Sequence, residues 1–334
     1  MYSAKRRFRL FRHPAWAGDG GNAPYTYSWQ EQTTAPSTTY QKLDSTSDFS
    51  TLITTRGTII DGEEGAYIST DEGANWTRKV NGITWPAAIY STDVAIASDN
   101  SNIMFIANRG TPGTDYIWRS MDKGENWSLV SPLKLWTSVA CSADGSNVVA
   151  TELTTSNIWV SYDTGSNWTQ ISGTAGWIDS TMSSDGTFMI ASTNSSSNLR
   201  ISTDSGSNWS FVQFAPALRT IYRSVCSSDG KVIMTNVLNN PPRISRDFGV
   251  TWSDVMDVST GFTTNALAMS SNGKIIAYAG SNIPLFVSQD EGVTWEQQIG
   301  AGVRNWRSIT MDGTGSKILA GLQVGRVWLG TGTA

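Results

Sequence analysis

The chain has 334 residues, of which 16% are charged and 10% aromatic, with 15 Trp and a formal net charge of −4. Its only histidine is His13, which excludes His-based metal centres and Ser-His-Asp or Cys-His catalysis from the rest of the protein. Two cysteines, Cys141 and Cys226, are too few for a disulfide framework.

The first segment differs from everything after it. Met1 to Pro24 carries five basic residues, Lys5, Arg6, Arg7, Arg9 and Arg12, against the single acid Asp19, so the remaining chain is strongly acidic. The segment lacks the continuous apolar run of a secretory signal or a membrane helix. Residues 1–26 therefore read as a basic extended arm, expected to dock on protein subunits of an assembly. Its footprint is short for nucleic acid.

From residue 27 onward the chain repeats. Ser-x-Asp-x-Gly-x-x-Trp recurs at Ser69–Trp76, Ser120–Trp127, Ser161–Trp168 and Ser202–Trp209, and with Thr for the usual Asn at Ser245–Trp252 and Ser288–Trp295. The aspartates are Asp71, Asp122, Asp163, Asp204, Asp247 and Asp290, spaced 51, 41, 41, 43 and 43 residues apart. A period of this length signals a repeat architecture. Within each copy the Asp accepts hydrogen bonds from its own turn, the Gly supplies a positive φ, and the Trp buries a ring against neighbouring strands. An apolar strand precedes each motif. Before it come two more strands joined by a Ser-x-Asp/Asn-Gly turn, as in Trp136–Gly145, Trp177–Gly186 and Thr264–Gly273.

Four antiparallel strands per repeat make one propeller blade, and the prediction is an all-β, seven-bladed β-propeller over residues 27–334. The seventh blade is split. Trp306–Met311, Lys317–Gly321 and Arg326–Gly330 supply three strands, and the segment around Trp29 supplies the fourth from the other end of the chain. The N-terminal strand thus pairs with the C-terminal blade and removes an exposed sheet edge.

The motif resembles the Asp-box (BNR) repeat of sialidases, sortilin-like receptors and photosystem assembly propellers, over roughly residues 27–334. That resemblance implies that the motifs are structural turns at the blade periphery. It also raises glycoside hydrolysis, which needs two carboxylates flanking a scissile bond. Asp93 and Asp179, with Tyr222, are the residues to test for it. The sialidase pattern of Arg-Ile-Pro is not matched by Arg243-Ile244-Ser245, and sialidases have six blades. The arginine patch of the photosystem propellers would correspond to Arg219, Arg223, Arg304 and Arg307.

A second column lies at the start of the innermost strands. Tyr40, Trp136, Trp177, Ile221 with Tyr222 beside it, and Trp306 align at one position, with Trp85 nearby. Two positions on stand Lys42, Asp93, Ser138, Asp179, Arg223, Ala266 and Ser308. Tyr40, Trp85, Trp136, Trp177, Tyr222, Arg223, Trp306 and Arg307 form a candidate ligand rim at the channel mouth opposite the Asp motifs, where indoles could stack on sugar rings. The same rings could instead wedge between blades. Neither cofactor nor metal is implied. The expected function is a non-enzymatic structural or attachment propeller of a larger assembly, a virion such as a phage tail, acting outside a cell without a secretory signal. A glycan-binding lectin and a glycoside hydrolase are the alternatives.

Overall fold

A computed structural model describes residues 24–56, 65–83, 89–110, 115–153, 157–171, 176–193, 198–213, 221–238, 240–255 and 264–334. Trp85, Arg219 and the arm residues Lys5 to Arg12 lie outside them. Seven four-stranded antiparallel sheets follow one another along the chain. Blade I comprises Tyr40–Ser45, Leu52–Arg56, Gly65–Ser69 and Thr77–Lys79, and blade II Ile89–Ile96, Met104–Gly110, Ile117–Ser120 and Ser128–Leu129. Blade III comprises Trp136–Cys141, Val148–Glu152, Ile158–Ser161 and Thr169–Ile171, and blade IV Trp177–Met182, Met189–Thr193, Asn198–Ser202 and Ser210–Gln213. Blade V has Ile221–Cys226, Ile233–Val237, Arg243–Ser245 and Ser253–Asp254, and blade VI Thr264–Met269, Ile276–Gly280, Phe286–Ser288 and Glu296–Gln297.

Blade VII takes Trp306–Met311, Lys317–Leu322 and Val327–Thr333 from the C-terminus and Thr26–Glu31 from the N-terminus. The last two pair antiparallel from Thr26 against Thr333 to Glu31 against Trp328. Room for the Trp29 ring comes from Gly330, where an added Cβ would stand 2.8 Å from Trp29. The Trp29 indole donates to Gln298 Oε1 at 3.2 Å.

Seven separate apolar clusters replace a single core, one between each pair of neighbouring blades. Blades I and VII meet through Tyr40, Leu43, Leu52, Leu319 and Val327 in the same way that blades III and IV meet through Val149, Val160, Trp177 and Met189. Each sheet is buried on both faces, which is why the second strands read as continuous apolar runs rather than alternating ones.

The turns joining first and second strands bind the ring together. Ser47 N–H donates to Ser98 O, Asp99 to Ala143, Ala143 to Ser184, Ser184 to Ser228, Ser228 to Ser271, Ser271 to Gly313 and Gly313 to Ser47, all between 2.7 and 2.9 Å. This circle of backbone hydrogen bonds visits every blade and returns to its start. It demands a small residue at the crossing point: a Cβ on Gly313 would meet Ser271 Oγ at 2.8 Å.

The six Ser-x-Asp-x-Gly-x-x-Trp turns sit at the same end of the ring, farther out. In the Ser161 copy, Ser161 Oγ donates to Asp163 Oδ1 at 2.8 Å and accepts from Gly165 N at 2.9 Å. Asn167 donates its backbone and side-chain N–H groups to the two oxygens of Asp163 at 2.8 and 2.6 Å. The side chain of Asn167 and then its backbone N–H hold the Asp163 carboxyl down at about 2. The residue before each Gly also has positive φ, between 57° and 61°, at Glu72, Lys123, Thr164, Ser205, Phe248 and Glu291. The Asp and Ser side-chain bonds hold non-glycine residues in a region they otherwise avoid.

Candidate functional site

The innermost strands surround a central channel containing a cavity of about 250 Å³, lined by all seven blades from Lys42 to Gly313. Every one of these strands carries a β-bulge near its start, for example between Trp136 and Ser138 and between Trp177 and Asp179. A bulge re-aims the side chains that follow it. Here it turns the second column towards the next blade, where its oxygens capture backbone N–H groups. Asp93 Oδ2 accepts from Val139 N at 3.2 Å, Ser138 Oγ from Ser180 N at 3.1 Å, Asp179 Oδ2 from Ser224 N at 2.7 Å and Ser308 Oγ from Leu43 N at 2.6 Å. One level along, Asp44 Oδ2 accepts from Ile96 N at 2.9 Å. Each oxygen belongs to one blade and each donor to the next.

The structure corrects the expected aromatic platform. Tyr40, Trp136, Trp177 and Trp306 are at most 1% exposed and wedge between blades. Trp136 packs on Trp159 and Trp168 with ring centroids 6.0 and 5.9 Å apart and donates to Pro132 O. Tyr40 donates its hydroxyl to Pro36 O at 2.5 Å. The strand-start position faces an interblade seam, so a large ring there serves packing. Of the predicted rim, Tyr222 remains exposed, at 40%, and Arg223 and Arg307 are partly so.

Arg223, Asp93 and Asp179 come together with Lys42. Arg223 Nη1 lies 2.8 Å from Asp179 Oδ1 and 3.9 Å from Asp93 Oδ1, while Lys42 Nζ lies 3.3 Å from Asp93 Oδ1 and 4.0 Å from Asp179 Oδ1. The aspartates are two blades apart, yet both face the same two cations and both are 1% exposed. Burial opposes the charge on Asp93, but Lys42, Arg223 and the Ser138 hydroxyl outweigh it and hold that carboxyl below its ordinary range. For Asp179 burial wins over Arg223 and Lys42, reinforced by the charge of Asp93, and its pKa is raised. Sequence spacing gave neither carboxylate a partner; the ring closure supplies two.

The cations fill the space between the carboxylates. A split pair of pKa values is the arrangement expected of an acid and a base. Here each acid also spends one oxygen on a neighbouring backbone and turns the other towards Lys42 and Arg223. Arg307 donates to Gln41 Oε1 at 3.0 Å, and burial followed by the charge of Arg223 lowers its pKa. Asp44, partly buried, is raised to about 6 by desolvation, against the pull of the Ile96 and Ser45 N–H groups. Cys141 and Cys226 are free; burial pushes the Cys226 thiol up to about 12. Among the described residues no group of three or more His, Cys, Asp or Glu could hold a metal ion, and no helix is long and apolar enough to cross a membrane.

No protein-family model matches the chain, and no curated protein matches it. Solved structures do resemble it. YCF48 bound to D1 peptide shares 15% identity over 92% of this chain and 97% of that one, with a TM-score of 0.65. The Cps50 (Swd1) β-propeller domain of Myceliophteria thermophila shares 12% identity over 91% and 100%, with a TM-score of 0.67. The GH74 xyloglucanase of Xanthomonas campestris shares 13% identity with a TM-score of 0.70, and the match covers 92% of this chain but 53% of the enzyme. At these identities the likeness establishes the fold, a seven-bladed β-propeller, and that alone.

Proposed function

We propose that this protein is a non-enzymatic binding propeller of the Asp-box type that works within a larger assembly. The observation that carries the reading is the use made of Asp93 and Asp179. Both bind the backbone of the next blade, and both are neutralised by Lys42 and Arg223. A glycoside hydrolase keeps its carboxylates about 5–9.5 Å apart with substrate or water between them. Incubation with mixed polysaccharides should release no new reducing ends; sustained release that disappears in Asp179→Asn would overturn the reading.

Protein binding is supported by the solved propeller bound to a peptide. The assembly we infer is a virion, entered through the basic residues 1–24. The support is the arm's charge, opposite in sign to that of the rest of the chain. Deleting residues 1–24 should leave a folded ring that no longer incorporates into particles, and normal incorporation would overturn this part.

A further inference from the structure

Three of the seams between blades can be compared position by position, just past the bulges. In each, the earlier blade supplies the residue that resumes the register after its bulge, together with that residue's partner on the second strand. The later blade supplies the next residue along its own innermost strand, again with its partner. Between blades VI and VII these pairs are Ala266–Ala279 and Ile309–Ala320, all four in one apolar cluster. Between blades III and IV they are Ser138–Thr151 and Ser180–Ala191. Every hydroxyl there has a partner. Ser138 Oγ accepts from Ser180 Oγ at 3.2 Å and donates to Asp93 Oδ2, and Thr151 Oγ1 shares a hydrogen bond with Thr137 Oγ1 at 2.9 Å.

Between blades IV and V the four positions hold Asp179, Ser192, Ser224 and Thr235. Cross-strand partners share one face of a sheet. Asp179 Oδ2 accepts from Ser224 N at 2.7 Å, so Asp179 and Ser192 face blade V. Ser224 and Thr235 face back to blade IV, as the equivalent Ser180 reaches back to Ser138. Ser192, Ser224 and Thr235 are 0%, 5% and 0% exposed. None of their hydroxyl oxygens has a hydrogen-bond partner among the described residues. They lie between the channel, which Ser224 also lines, and an apolar cluster that includes Ile190, Leu199, Ile221 and Ile233.

The fold does not force hydroxyls on these positions, because alanines fill three of them between blades VI and VII. A buried hydroxyl without a partner costs stability, and buried polar groups are completed by protein or by ordered water. Three of them in one seam point to a shared ligand, and the surroundings choose its charge. Arg223 Nη1, 2.8 Å from Asp179 Oδ1, and Lys42 Nζ, 4.0 Å from it, oppose a cation. The carboxylates of Asp179 and Asp93 oppose an anion. A neutral molecule that both donates and accepts suits hydroxyls that do the same. Close packing between the sheets limits it to the size of water.

We infer that the seam between blades IV and V binds water, shared by Ser192, Ser224 and Thr235 and exchanging with the channel past Ser224. The site belongs to the ring itself, so it stands or falls independently of what the ring or its arm binds.

The test uses the full chain. A high-resolution crystal structure should show water within about 3.2 Å of at least two of the three oxygens. Thr235→Val keeps the shape of the side chain and removes its hydroxyl. It should lower the urea midpoint by roughly 0.3 M, because the water loses a partner, and Ser192→Ala should act in the same direction. In a dry seam both changes would raise the midpoint instead, since each removes an unpaired buried hydroxyl. A seam without water density, or a midpoint unchanged or raised in Thr235→Val, would overturn the inference. So would strong density at about 2.4 Å from the oxygens, the distance of a bound cation.

Discussion

The outer motif turns and the innermost strands repeat with the same period but under different rules. In each outer turn the Ser and Asp oxygens and the Asn or Thr side chain close their hydrogen bonds on the turn itself, so one residue set is needed every time and the copies stay nearly identical. The Ser245 turn repeats the Ser161 bonds, with Thr251 Oγ1 replacing the side-chain amide of Asn167. Each innermost strand instead completes its bonds on the next blade. Each carries a bulge, while the residue that resumes the register after it is Leu, Ser, Asp, Arg or Ala. Self-contained devices leave strong sequence motifs; shared ones leave a column of unlike residues.

Breaking the shared device should cost most. Arg223→Met leaves Asp179 and Asp93 buried with one cation, and should destabilise the ring by about 3–5 kcal/mol in urea unfolding. Adding Asp179→Asn should recover part of that loss; a double variant as unstable as the single would mean the ion pairs matter little. Trp177→Ala opens a cavity between blades III and IV and should cost about 3–5 kcal/mol. A near-neutral result would return Trp177 to the list of ligand-facing residues.

Asp44 sharpens the comparison through pH. Its folded pKa, about 6, lies above the unfolded value near 4, so the folded state holds the proton more tightly. Its stabilising contribution is therefore complete at pH below about 4 and is lost as pH rises through 6, by about 3 kcal/mol at most. Asp44→Ser keeps a latch oxygen, as Ser138 and Ser308 do, and should flatten that stretch of the stability curve. The lowered turn aspartates act in the opposite sense, losing their contribution as pH falls below their ordinary range. An unchanged wild-type slope in Asp44→Ser would place the effect elsewhere.

Within one outer turn, Ser161→Ala removes an oxygen used by Asp163, Gly165 and the Asp163 carboxylate. It should cost about 1–2 kcal/mol and leave the other blades unaffected by hydrogen exchange. The smallest change should come from the surface pair Lys79–Glu125, at 2.6 Å and with Glu125 60% exposed. Lys79→Ala should shift stability by under about 1 kcal/mol.

Blade count, strand order and the partnership of Trp29 with the C-terminal strands were legible in the sequence, because period and turn chemistry are local. The circle of backbone bonds from Ser47 to Gly313 had a faint signal, a small residue at the head of each first turn: Ser47, Ser98, Ala143, Ser184, Ser228, Ser271 and Gly313. The rim of tryptophans was legible as a column but not as buried, since a strand-start residue and a channel-mouth residue share one address until the blades pack.

By itself the chain determined the ring: six near-identical turns and a split seventh blade permit only a closed set of four-stranded sheets. Only the tertiary structure decided what the inner column does. Lys42, Asp93, Asp179 and Arg223 come from four different blades, and their meeting depends on the radius and tilt at which seven sheets pack. The same packing buried Trp136, Trp177 and Trp306, because burial is set by the neighbouring blade rather than by the residue's own strand.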